Sequence, residues 1–167
     1  MNKKNNEKGI TMITLVITIM ALSILSLTIV VNTKSMVNTK SLLELKSDIS
    51  NLKEKVADFY NEYGELPANI EYTNLSNLTN VLNEKEKTSK FYVIDLQAMQ
   101  GISFNYGRDY EYVKNTNTET ANKYYDLYVV NEVTHNIFYI DGVSVVEDNG
   151  NKVYYTTYDE PENVPNI

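Results

Sequence analysis

Residues 9–31 read GITMITLVITIMALSILSLTIVV, a single glycine followed by 22 residues without a charge. At ~1.5 Å per helical residue a run of this length crosses the ~30 Å hydrocarbon layer of a bilayer, so it reads as a membrane helix rather than a buried core helix. Lysines do not orient it, because Lys3, Lys4 and Lys8 precede the run and Lys34, Lys40 and Lys46 follow it. The leader MNKKNNEK has nothing to translocate, whereas all the material able to fold lies after Val31. The leader is therefore placed in the cytoplasm and the remainder outside. A cleaved secretory signal is the plain alternative. Its apolar core normally ends on a small-x-small site, but Ala21-Leu22-Ser23 lies inside the run and Asn32-Thr33-Lys34 closes it without one.

Downstream of the run, Leu42, Leu45, Ile49, Leu52, Val56, Phe59 and Tyr63 follow one another at alternating spacings of three and four, which lays all seven along one helical face. No proline or glycine interrupts Ile10 to Tyr63. One helix of ~80 Å is the natural reading, apolar all round in its first half and amphipathic in its second. Gly64 ends it, and Pro67 forbids prompt resumption. A coiled coil is the rival reading of the same heptads.

Beyond Pro67 the pattern breaks into short pieces. Leu75, Leu78 and Leu82 at helical spacing predict a short helix over Asn74 to Leu82 with Asn74 as its cap. Glu84 to Lys90 reads as a solvated charge run, and Phe91 to Leu96 as a strand. Asp95 is expected to cap a one-turn helix, Leu96 to Gln100, that Gly101 stops. The polar tract Lys114 to Asn122 reads as a surface loop. From Lys123 the chain reads as an antiparallel meander: Tyr124 to Asn131, Asn136 to Ile140, Val143 to Glu147 and Lys152 to Thr157. Turn signals separate these strands at Glu132 to His135, Asp141-Gly142 and Asp148-Asn149-Gly150. The fourteen tyrosines suit half-exposed strands, with packed rings and wet hydroxyls.

Composition narrows the function. The chain of 167 residues has room for one domain beside the membrane helix. It contains no cysteine, so it carries no disulfide framework, thiol nucleophile or zinc-cysteine site. Its net charge is −7, with Arg108 the only arginine, and three of its fifteen basic residues lie in the leader. That sign disfavours direct binding to nucleic acid or an anionic lipid surface. His135 is the only histidine, and a grouping of it with Ser144 and Asp141 has no motif support, so no enzymatic activity is expected. No cofactor is expected either. Calcium among Asp141, Glu147, Asp148 and Asp159 is conceivable by residue type, but the spacing of an EF-hand is missing.

Lys8-Gly9-Ile10-Thr11-Met12-Ile13, a basic leader ending in glycine before an unbroken apolar helix that becomes amphipathic, resembles the prepilin signature of type IV pilins and type II secretion pseudopilins. The helix exit Asp58 to Pro67, DFYNEYGELP, is similar to the tyrosine-rich exit of pseudopilins. The leader, with Phe91 to Leu96 and Tyr128 to Ile140, resembles pilin-like proteins of clostridia and related Gram-positive bacteria. The resemblance implies an α+β fold, with a long N-terminal helix packed through the seven-residue face on a small antiparallel β-sheet. It also implies a division into leader (1–9), membrane-spanning and assembly half-helix (10–31), amphipathic half-helix (32–64), globular head (65–158) and loose acidic tail (159–167).

On that resemblance a prepilin peptidase/methyltransferase cuts between Gly9 and Ile10 and N-methylates Ile10. The subunit sits in the cell membrane by a single pass with its head outside. It then joins other pilin or pseudopilin subunits in an extracellular fibre, through a membrane platform with an assembly ATPase. Thr14 stands where the family usually has a glutamate, whose carboxylate neutralises the N-terminal ammonium of a neighbouring subunit. The departure favours a minor subunit placed at the fibre tip, or another acceptor for that charge. Read from the residues alone, the hydroxyls of Thr11, Thr14 and Thr18 bond the preceding helical turn, and with Ala21 they form a small-residue stripe. The alternative from a different class is a single-pass anchor presenting a coiled coil and a small β-domain as an adhesin or sensor.

Overall fold

The structure, a computed structural model, describes residues 17–19, 39–99, 101–146 and 150–157. Contacts divide the chain into residues 1–38 and 39–167. In the first unit, residues 17–19 are helical with Ile17 and Ile19 exposed. The expected leader, most of the apolar run, Gly9, Ile10, Thr14 and the tail 159–167 lie outside the described residues. Among the described residues no helix is long and apolar enough to cross a membrane.

The second unit combines helix and antiparallel sheet. Helix α1 (39–63) ends where Gly64 takes φ +73° and returns its N–H to the Tyr60 carbonyl at 2.9 Å, the left-handed closure that glycine allows without steric cost. Strands β1 (Ala68–Glu71), β2 (Phe91–Ile94), β3 (Tyr128–Asn131) and β4 (Ile137–Tyr139) form one sheet in the order β1-β2-β3-β4, every pair antiparallel. Strands β5 (Val143–Val146) and β6 (Lys152–Tyr155) pair in a separate two-stranded ribbon. The expected meander is thus divided between two sheets. The break falls at Asp141-Gly142, where Gly142 has φ +70°, and the ribbon returns to β4 through Tyr139 N–H donating to the Thr156 carbonyl at 2.7 Å.

Both faces of the four-stranded sheet are covered, and the side-chain alternation of the strands divides them. Ile94, Tyr128, Val130, Ile137 and Tyr139 join the core under α1. Phe91, Val93, Val129 and Phe138 point the other way, into a second core with Tyr72, Leu78, Tyr110, Val113 and Leu127. Two-sided burial explains why β4 reads IFY and the first three residues of β3 read YVV without a polar alternate.

The second core is closed by short elements in the long β1–β2 and β2–β3 connections, and here the structure departs from several expectations. The helix expected over Asn74 to Leu82 is a single 3-10 turn, Ser76–Leu78, and Asn74 does not cap it. The Asn74 amide instead donates to the Asn122 carbonyl at 3.1 Å and the Tyr125 hydroxyl at 3.1 Å. The expected surface loop Lys114 to Asn122 contains helix α3 (Thr118–Ala121), which the Asn117 side chain caps by accepting from Thr120 N–H at 3.0 Å. Ala121 is fully buried, which anchors that turn in the core. Helix α2 (Tyr110–Val113) precedes it. The charge run Glu84 to Lys90 is not uniformly solvated, because Glu86 is 1% exposed. Asp95 does cap the turn that follows it, accepting from Gln97 N–H at 2.9 Å and Ala98 N–H at 3.2 Å.

Candidate functional site

The junction between α1 and the sheet is where the residues singled out from the sequence converge. Leu45, Ile49 and Leu52 are fully buried and Val56 is 2% exposed, packed with Ile94, Val130 and Ile137 of the sheet. Leu42 and Phe59 are half-buried at the two ends of the stripe. Tyr63, expected on the same face, is instead 58% exposed. Its ring packs against Phe59, centroids 4.5 Å apart.

Asp48 lies inside this apolar face, one turn on from Leu45, and is 1% exposed. Its Oδ2 accepts from Asn105 N–H at 2.7 Å, Tyr106 N–H at 3.2 Å and the Tyr128 hydroxyl at 2.8 Å; its Oδ1 accepts from the Asn105 amide at 2.9 Å. No ion pair reaches it among the described residues. Four donors take the place of a cation, which is the condition for a carboxylate to sit in a core. One side chain of α1 therefore holds both the loop 104–107 and the central strand.

The same loop is gripped from its other side. Asp126, just before β3, accepts from Gly107 N–H at 2.6 Å and the Tyr139 hydroxyl at 3.0 Å. Asp109 accepts from the N–H groups of Asp126 at 3.0 Å and Tyr125 at 3.3 Å. Gly107 sits at φ +84° with no room for a side chain: a Cβ there would stand 2.9 Å from both Leu96 Cδ1 and Tyr128 Cδ2.

Exposed tyrosines such as Tyr63 and Tyr112 fit the expectation of wet hydroxyls, but the hydroxyls of four buried ones do not. Those of Tyr128 and Tyr139 end on Asp48 and Asp126, that of Tyr110 on Asp95, and that of Tyr72 on the Tyr124 carbonyl at 2.9 Å. Burial pushes the Tyr128 phenol far above its ordinary value, and the Asp48 carboxylate adds to the shift. Tyr139 rises by burial and then by Asp126, Tyr110 by burial and then by Asp95, and Tyr72 chiefly by burial. All four are held neutral, as donors to fixed acceptors.

A second buried carboxylate, Glu86, fastens the turn at the far end of the sheet. It accepts from Asn83 N–H at 2.9 Å, the Thr134 hydroxyl at 2.9 Å and the Asn136 amide at 2.6 Å. In that turn His135 takes φ 55° and its ring meets Tyr60 of α1 edge-on, centroids 4.5 Å apart. Ser144 pairs with Tyr154 in the ribbon, and no hydrogen bond among the described residues joins it to His135. Of the acids considered for calcium, Glu147, Asp148 and Asp159 lie outside the described residues. Among the described residues no three metal-ligating side chains converge.

Sequence reasoning found the stripe and missed the carboxylates. The signal for Asp48 was present, since an acid three residues after Leu45 and one before Ile49 falls on the buried face. For Glu86 the signal was the Asn83-x-x-Glu86 spacing of a capping box, in which the two residues exchange backbone bonds; Asp109 and Asp126 gave none, because their partners lie far off in the chain. The carboxylates of the junction are taken up by fixed donors, and this arrangement holds a helix, a loop and a sheet together. Comparison with protein-family models, curated proteins and solved structures finds no match.

Proposed function

We propose that this chain is a structural subunit of a type IV pilus-like or type II secretion-like pseudopilus fibre, processed by a prepilin peptidase, with a long N-terminal helix whose apolar half anchors and assembles and whose amphipathic half carries the head. The observation that carries the reading is the order of features along the chain. A basic leader ends at Gly9-Ile10, 22 uncharged residues follow, and a helix comes next without an intervening proline or glycine. Support comes from the covering of that helix: Leu45, Ile49, Leu52 and Val56 are buried with the strands of the same chain. A coiled coil needs those four side chains for a second copy, so the anchored coiled-coil alternative is the weaker reading.

In this account the apolar half-helix is solvated by lipid before assembly and by neighbouring subunits afterwards. The partners are the peptidase, sister subunits and a platform with its ATPase; the head lies outside the cytoplasm, and the protein is a substrate rather than a catalyst. The test is the N-terminus of the mature protein, measured by mass spectrometry after co-expression with a prepilin peptidase. The expected chain starts at Ile10, and Gly9→Val blocks the cut. A chain starting near Ser23 or Asn32 would mean ordinary secretion. For a tip subunit, Thr14→Glu does not raise incorporation into fibres; for a shaft subunit it leaves incorporation intact or raises it.

A further inference from the structure

A cleft of about 350 Å³ opens beside the second core, between the 3-10 turn at Ser76–Leu78 and the β5–β6 ribbon, a size at the lower end of the ~300–1,000 Å³ typical of small-ligand sites. Three separate segments of chain build it. The turn supplies the Ser76 hydroxyl and the amides of Asn77 and Asn80, the loop after β4 supplies the Asp141 carboxylate, and the ribbon supplies the Tyr154 ring. Val81 and Thr156 complete the wall.

The walls are tied to one another. The Asn77 amide donates to the Ile140 carbonyl at 3.0 Å, holding the turn against the residue before Asp141. Tyr139 N–H donates to the Thr156 carbonyl at 2.7 Å, holding the end of the ribbon against β4. Thr156 is 5% exposed, and its Oγ1 is buried without a hydrogen-bond partner among the described residues. A buried hydroxyl left this way is a cost the fold does not recover internally.

The lining selects a ligand class. Among the described lining residues Asp141 is the only charged one, and the chain carries a net charge of −7, so phosphates, sulfates and carboxylates are disfavoured. One carboxylate leaves a calcium ion, which takes six to eight oxygen ligands, dependent on neutral oxygens for the rest, which makes a weak site. What remains is a neutral molecule rich in hydroxyls. A carboxylate accepts from two adjacent hydroxyls, primary amides both donate and accept, and an aromatic ring offers an apolar platform to a face of C–H groups. Lys152 Nζ stands over the Tyr154 ring, 5.2 Å from its centroid, and takes one of its two faces.

We infer that this cleft is a binding site for a neutral saccharide, with Asp141, Asn77 and Asn80 bonding its hydroxyls and Tyr154 stacking on its sugar ring. The site is independent of how the chain is processed or assembled. It is tested on the full chain in a detergent without a sugar headgroup, titrated with glucose, galactose, N-acetylglucosamine and their disaccharides, and followed by saturation-transfer and amide-shift NMR. The expected result is binding of at least one of these probes, with shifts confined to residues 76–81, Asp141 and 154–156. Asn80→Ala and Asp141→Asn each weaken it tenfold or more while the melting temperature is unchanged. Asn80 is exposed and serves as the second variant should Asp141→Asn disturb its turn. Absence of binding by every probe, binding that survives both substitutions, or the same shifts produced by calcium alone would overturn the assignment.

Discussion

Asp48 is the residue on which the junction depends most. Removing its carboxylate strands the buried Tyr128 hydroxyl at a cost of ~1–3 kcal/mol, and releases the part-buried N–H groups of Asn105 and Tyr106 from their acceptor. Asp48→Ala is therefore expected to lower stability by ~3 kcal/mol or more, and Asp48→Asn by less, since one oxygen acceptor remains; urea unfolding separates the two. Gly107→Ala places a methyl group against Tyr128 at a positive φ, and should cost ~1–3 kcal/mol in the same assay. The tyrosines add a pH dependence. Each phenol raised in the folded state contributes stability that is whole below its unfolded pKa of ~10 and is lost as pH rises toward the folded value. Stability is thus flat with respect to Tyr72, Tyr110, Tyr128 and Tyr139 below ~pH 10 and falls above it, because the unfolded chain gives up these protons first. An absorbance titration should show these four ionising only as the fold is lost; ionisation of all fourteen tyrosines with circular dichroism intact would contradict the burial argument.

Among the elements, α1 carries the largest single packing debt of the sheet. Burial of each stripe side chain contributes ~1.5–3 kcal/mol, and no other helix in the described residues exceeds four residues. Ile49→Ala is expected to cost ~2–5 kcal/mol. Ile49→Asp places an unpaired charge among Ile94, Val130 and Ile137 and should unfold the sheet with the helix, read as loss of strand signal by circular dichroism. The sequence was informative where periodicity is long. Seven residues at three-four spacing located α1, and Gly64 its end. It was informative for β2, β4 and β6 through their β-branched and aromatic content. It was poor between β2 and β3, where α2 and α3 are one turn each and are held by Asn117 and by core contacts of Val113 and Ala121 rather than by any repeating pattern. The division of the meander into two sheets was also not legible, because Asp141-Gly142 reads equally as a hairpin turn or as a bulge.

At the scale of the folded unit, two cores lie on the two faces of one sheet, and α1 closes only one of them. Leu45, Ile49, Leu52 and Val56 of its apolar face are buried within the folded unit itself. The candidate processing and assembly residues Gly9, Ile10 and Thr14 were accessible only as sequence pattern, since they lie outside the described residues. If its own sheet satisfies the amphipathic half-helix, the fragment Asn38 to Ile167 sediments as a folded monomer at every concentration over a wide range; a dimer or trimer that grows with concentration would mean that the helix face seeks another copy instead.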